Sequence, residues 1–196
     1  DGDVNIADIQ NDGTISAAAT VNATGEDYTA YNGYYAYAVG VDQDGYGDQA
    51  TLTVNNDGTI SAIAVMNAYS TSYDAYAEAF ATGVYQYVDS EGKNVGDIYN
   101  YGTISAKAMA DAEGELYSTA YAYASGITQE GYGQSADLTI TNHGHVSATA
   151  TATADPNVEG YAYAVASGID QEAYSGGGNT GDIYNDGDVT ANATAN

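Results

Sequence analysis

The side chains able to do chemistry are few in kind. Lys93 and Lys107 are the only strong bases, His143 and His145 the only imidazoles, and arginine and cysteine are absent, whereas Asp and Glu number 27. A polysaccharide lyase needs a cationic base or charge stabiliser, and two lysines, one in a Gly-rich turn and one in a variable slot, do not supply it. A glycoside hydrolase needs two carboxylates at a fixed separation, and acids scattered over turns define no preferred pair. No catalytic residue is assigned, and the chain is read as a non-enzyme. Hard cations prefer oxygen ligands, so Asp42, Asp44 and Asp48 in one turn are candidate calcium ligands, although neither an EF-hand loop nor a Gly-Gly-x-Gly-x-Asp nonapeptide is present. No other cofactor is expected. His143 and His145 flank Gly144 without a counterpart elsewhere, the pattern of drift at an exposed turn.

The elements that must carry these residues are bounded by composition. Of 196 residues 44% are apolar, largely Ala and Tyr, with one Phe and no Trp, so any core is thin. A net charge of −25 repels phosphate backbones, which are bound through Lys and Arg, and nucleic acid is excluded as a partner. Anionic lipid is disfavoured on the same ground, and no apolar run approaches the length needed for membrane insertion.

Internal repetition sets the organisation. Asn-x-Gly recurs at Asn11, Asn56, Asn100, Asn142 and Asn185, with Gly-to-Gly steps of 45, 44, 42 and 43. A second anchor, Gly-(Val/Ile)-x-Gln, ends at Gln43, Gln86, Gln129 and Gln171. The composition does not change along the chain, so residues 1–196 are taken as one repeat domain. Two anchors per period suggest two coils per period, about nine in all, which at ~4.8 Å each span roughly 43 Å. A longer rhythm near 86 residues also shows, since DGYGDQATLTVN at 44–55 echoes EGYGQSADLTIT at 130–141.

Around each anchor apolar and polar residues alternate with period two, the signature of strands. After Asn-x-Gly, Ile15, Ala17, Ala19 and Val21 correspond to Ile60, Ala62, Ala64 and Met66, then Ile104, Ala106, Ala108 and Ala110, a near-constant face that should point inward. The Asn side chains should stack into an amide ladder, with Gly providing φ > 0, and the Gln side chains into a second ladder. Before the second anchor Ala alternates with aromatics. With Ala inward, Tyr35, Tyr37, Phe80, Tyr121, Tyr123, Tyr161 and Tyr163 form an outer ring face, a candidate interface with partners or glycans.

The motif (Ile/Val)-x-Asn-x-Gly-x-(Ile/Val)-Ser-Ala, followed by Ala-rich strands and Tyr-Ala-Tyr-Ala, resembles the repetitive passenger regions of bacterial autotransporter and filamentous-haemagglutinin-type surface proteins. That resemblance implies an all-β, right-handed parallel β-solenoid, extracellular or at the cell surface, serving adhesion or as a stalk. No capping segment is recognisable, so identical chains are expected to stack head to tail into a homopolymeric filament. The alternative is an adhesin or stalk segment that binds a glycan or a cell-surface partner through its Tyr face.

Overall fold

The computed structural model describes residues 4–25 and 35–196. Twelve strands account for nearly all of them: β1 (Val4–Asn11), β2 (Thr14–Gly25), β3 (Tyr35–Gly47), β4 (Gln49–Asn56), β5 (Thr59–Ser70), β6 (Ala75–Asn100), β7 (Thr103–Gly114), β8 (Tyr117–Asn142), β9 (His145–Pro156), β10 (Glu159–Ser175), β11 (Asn179–Asn185) and β12 (Asp188–Ala195). All pairings are parallel. One sheet runs β2-β5-β7-β9-β12. The other runs β1-β4-β6-β8-β10, with β3 also on β6 and β11 also on β8.

The long strands β6 and β8 explain that branching. Residues 75–90 of β6 pair with the first part of β8 and 78–90 with β3, whereas 94–100 pair with β4 and with the second part of β8, the register shifting between Ser90 and Lys93. Each repeat therefore contributes three segments, which stack in three columns. The first column holds β3, the first parts of β6 and β8, and β10. The second holds β1, β4, the second parts of β6 and β8, and β11, and the third is the β2-β5-β7-β9-β12 sheet.

Hydrogen-bonded neighbours lie 42 to 45 residues apart, as in Asn11↔Asn56, Asn56↔Asn100 and Asn100↔Asn142. A rung thus uses the whole repeat, where nine half-repeat coils would need spacings of about half that period. The reason lies in parity. After Asn-x-Gly the inward residues stand two and four beyond the glycine, Ile60 and Ala62, but after Gly83 they stand one and three beyond it, Val84 and Gln86. Stacking one half on the other would set inward side chains above outward ones, because strand side chains alternate. Two columns hold five strands and the first holds four, so the stack is about five rungs, or ~24 Å at strand spacing.

Three apolar clusters lie between the columns. The first is built on Ala: Ala62, Ala64 and Ala68 of β5 and Ala106, Ala108 and Ala110 of β7 meet Ala75, Ala77, Ala79 and Ala81 of β6 and Ala120 and Ala122 of β8. Side chains this small let the two layers approach closely, and the larger Met66 fills one gap. The second cluster joins all three columns through Val84, Ile98, Ile104, Ile127, Ile140 and Val146. The third fills the arch between the first two columns with Ala50, Leu52, Val88, Ala136 and Leu138. Each fully buried Val, Leu or Ile contributes about 1.5–3 kcal/mol, so most apolar stabilisation sits in the second and third clusters.

The glycines of Asn-x-Gly do not have the positive φ expected of them. Among the described residues only Gly47 and Gly133 do, at 125° and 117°, in the arch. What Asn-x-Gly requires is proximity: a Cβ on Gly58 would stand 2.0 Å from the carbonyl oxygen of Gly13, and one on Gly102 equally close to that of Gly58. The backbones of successive turns stack too tightly for any side chain.

Candidate functional site

The Asn-x-Gly turns place their amides in an unbroken line. Asn11 donates through Nδ2 to Oδ1 of Asn56 at 2.7 Å, Asn56 to Asn100 at 2.7 Å, Asn100 to Asn142 at 2.6 Å and Asn142 to Asn185 at 2.6 Å. Asn56, Asn100 and Asn142 are fully buried. Their main-chain oxygens also accept, Asn100 O taking the N–H groups of His143 and Gly144 at 2.8 and 3.0 Å. Every buried polar group in this line is satisfied, the condition under which such a network rigidifies a core.

The Gln ladder runs in the opposite sense. Gln86 donates to Gln43 at 2.9 Å, Gln129 to Gln86 at 2.8 Å and Gln171 to Gln129 at 2.8 Å. Gln86 and Gln129 are buried between the first and second columns, and Gln129 Nε2 also reaches across to Gly96 O at 2.9 Å. Gly96 is part of this device, since a Cβ there would lie 2.7 Å from Gln86 Oε1.

The first column turns Ala inward and aromatics outward. Ala36 and Ala38 are buried while Tyr35 and Tyr37 are 60% and 56% exposed. In-register partners are mixed, Tyr35 facing Glu78 and Tyr37 facing Phe80, so rings meet both in register and on diagonals. Phe80 stacks on Tyr123 at 5.0 Å, Tyr35 meets Phe80 edge-on at 6.5 Å, and Tyr121 touches both Tyr161 and Tyr163 at 5.7 and 6.2 Å. All seven candidate interface residues thus share one outer face.

Two further columns were missed in the sequence. Tyr46, Tyr87, Tyr132 and Tyr174 form a line at the arch with centroid separations of 5.7, 5.3 and 5.2 Å. Tyr87 comes directly after its Gln while the other three come three residues after theirs, so alignment on Gln hides the line. Its signal in the sequence is a Tyr two residues from an acid in every copy. The second column is Tyr101, His143 and Tyr184, with the imidazole 4.9 and 5.6 Å from the two phenol rings. His143 also pairs through Nδ1 with Asp186, and His145 lies 3.6 Å from Asp188.

Acids cover the outer faces with little to oppose them. Lys93 reaches Asp137 at 3.7 Å, both exposed, a geometry worth little in water. Burial, with neighbouring acids adding to it, pushes the carboxyls of Asp42 and Glu130 above their ordinary range; burial also raises Asp97. Phenols shift the same way: burial and the bond to Glu78 push Tyr76 up to about 12. Asp42 and Asp44 project from the exposed side of β3 and Asp48 follows the Gly47 turn. Among the described residues no three or more His, Cys, Asp or Glu are grouped to hold a metal ion, and no helix is long and apolar enough to cross a membrane.

No family model matches this chain, and neither a curated protein nor a solved structure matches it.

Proposed function

We propose that the chain is a right-handed parallel β-solenoid with one 43-residue coil per repeat, and that it is a structural subunit of an extracellular or cell-surface filament built by head-to-tail stacking. The observation that carries this reading is the polarity of the Asn ladder. Its donors all point toward the C-terminal end, Asn185 Nδ2 donating to Gly187 O at 3.2 Å and Asn11 Oδ1 accepting from Gly13 N at 3.2 Å at the two ends of the line. A second copy placed head to tail would continue the Asn line in the same sense, whereas a head-to-head pair would set like groups together. The strands agree: among the described residues β1 and β2 at one end and β11 and β12 at the other are each paired along one edge, and the segments ADIQNDG and GDIYNDG at the two ends match. Identical interfaces that do not close generate an open filament.

Charge sets the condition for assembly. Over ~24 Å of stacked strands, 25 net charges give roughly one per ångström, denser than the one per ~1.7 Å of duplex DNA. Assembly should therefore strengthen with salt or divalent cations, which act as counterions along the whole surface. Electron microscopy of the purified protein with and without calcium tests the reading. Filaments that lengthen with calcium are expected, and dispersed short rods under all conditions would overturn it. Rods that nevertheless bind in a glycan array would favour the adhesin alternative, for which the exposed Tyr face is the supporting observation.

A further inference from the structure

The arch column runs as phenols over four rungs, whereas on the neighbouring ring face an unbroken phenol line covers three, Tyr76, Tyr121 and Tyr161 at 5.7 Å each. Tyr46, Tyr87, Tyr132 and Tyr174 follow one another at 5.7, 5.3 and 5.2 Å with no other residue type interposed. Three of the four donate to a carboxylate: Tyr87 to Asp89 at 3.4 Å, Tyr132 to Glu130 at 3.4 Å and Tyr174 to Glu172 at 2.9 Å. In the neighbouring column the line is broken by Phe80, a ring without a phenolic proton. Both ends of the arch column reach solvent, with Tyr46 56% and Tyr174 53% exposed.

We propose that the Tyr46-Tyr87-Tyr132-Tyr174 column is a relay for one-electron oxidation, carrying an oxidising equivalent along the stacking direction from rung to rung. An external one-electron oxidant accepts one electron from a phenol. The O–H bond breaks as the electron leaves, and the proton moves to the hydrogen-bonded carboxylate at Tyr87, Tyr132 or Tyr174, or to solvent water at the exposed Tyr46, giving a neutral tyrosyl radical. In each hop the next phenol gives one electron to that radical and its own proton to its own carboxylate, while the first phenoxyl oxygen recovers a proton from the acid that held it or, at Tyr46, from solvent. Electrons and protons balance at each rung, and no charge moves along the column apart from the hole.

The carboxylates suit this role and not phenolate chemistry. Burial first, then Asp89, pushes Tyr87 above the ordinary phenol range; burial and Glu130 do so for Tyr132, and the bond to Glu172 does so for Tyr174. Negative neighbours oppose a phenolate because it is charged. They do not oppose a neutral radical, and they supply the proton acceptor that forming it requires. The relay does not depend on filament assembly, since all four rings belong to one chain.

A photosensitiser tests it. The sequence contains no Cys, so Asp48→Cys provides a unique attachment point beside Tyr46 for a ruthenium polypyridyl complex, oxidised by a flash in the presence of a sacrificial cobalt(III) acceptor. Aminotyrosine in place of Tyr174 is the sink, read by its electron paramagnetic resonance signal. The expected result is a sink radical in the parent, its loss in both Tyr87→Phe and Tyr132→Phe, a reduced yield in Glu130→Gln, and an unchanged yield in Tyr123→Phe of the neighbouring column. Each substitution keeps the size of the side chain, and circular dichroism checks that the strands persist. A sink signal of equal size in Tyr132→Phe, or none in the parent, would overturn the relay.

Discussion

The two ends of each rung are packed on different rules. At the Ala end, β5 and β7 face the first parts of β6 and β8 almost entirely through methyl groups, and the rungs are alike except where Val21 and Met66 stand in place of Ala110 and Ala152. At the arch end the rungs alternate. Down the second column the register runs Leu52, Gly96, Leu138, Gly181, and down the first it runs Gly45, Val88, Gly131, Ala173. A Cβ on Gly45 would stand 3.2 Å from the Leu52 methyls and one on Gly131 3.1 Å from those of Leu138. Large and small residues have exchanged sides between successive rungs, which keeps the filled volume constant. The Ala end repeats every 43 residues and the arch end every second repeat, which is why two rhythms coexist in one sequence.

This contrast is broken most strongly from the arch end. Leu138→Ala removes a fully buried side chain with only Gly131 opposite, so the cavity cannot be filled, and a loss of about 2–5 kcal/mol is expected in urea unfolding. The double variant Leu138→Gly with Gly131→Leu should recover part of that loss; if it is as unstable as Leu138→Ala, volume exchange is not the rule at this end. Between the two ends, Asn100→Leu deletes the middle of the amide ladder and leaves Asn56 and Asn142 short of partners, at a cost of about 1–3 kcal/mol. An unchanged unfolding midpoint would show that the ladder is incidental.

Titration sharpens the comparison by acting on the outer face alone. Tyr76 ionises at about 12 in the fold and at an ordinary 10.0 when unfolded, so between these values the unfolded chain has lost a proton that the folded chain keeps. Stability is fully present below pH 10 and falls as pH rises toward 12. Phenolate absorbance should appear together with loss of strand signal, and gradual ionisation in an intact fold would contradict this. The raised carboxyls Asp42, Asp97 and Glu130 act in the same direction at lower pH. The folded chain binds their protons more readily, so stability grows as pH falls through their folded range toward the ordinary carboxyl values. The smallest effect belongs to the exposed Lys107→Thr on β7, within about 0.5 kcal/mol.

Much of this organisation is legible in the residues themselves. The Asn and Gln recurrences locate both ladders, and the Ile-x-Ala-x-Ala and Ala-Tyr alternations give the inward faces, because period two leaves only two choices. The number of rungs is hidden: it depends on the side-chain parity of the two half-repeats, and anchor spacing is silent on that. The Asn-x-Gly glycines reveal their need only through the turn stacked beneath them, 42 to 45 residues away. The arch column and the Leu/Gly exchange are contacts between segments on opposite sides of a turn, where a two-residue offset such as that of Tyr87 erases the sequence match.

The whole-repeat rung is tested most directly by a cysteine pair in this cysteine-free chain. Ile63 and Lys107 are in-register neighbours on β5 and β7, about 4.8 Å apart, within reach of a disulfide. Oxidation of Ile63→Cys with Lys107→Cys is expected to close an intramolecular bond without loss of strand content, while Ile63→Cys with Tyr87→Cys, on opposite outer faces, stays reduced. Closure of the second pair and not the first would contradict the whole-repeat rung.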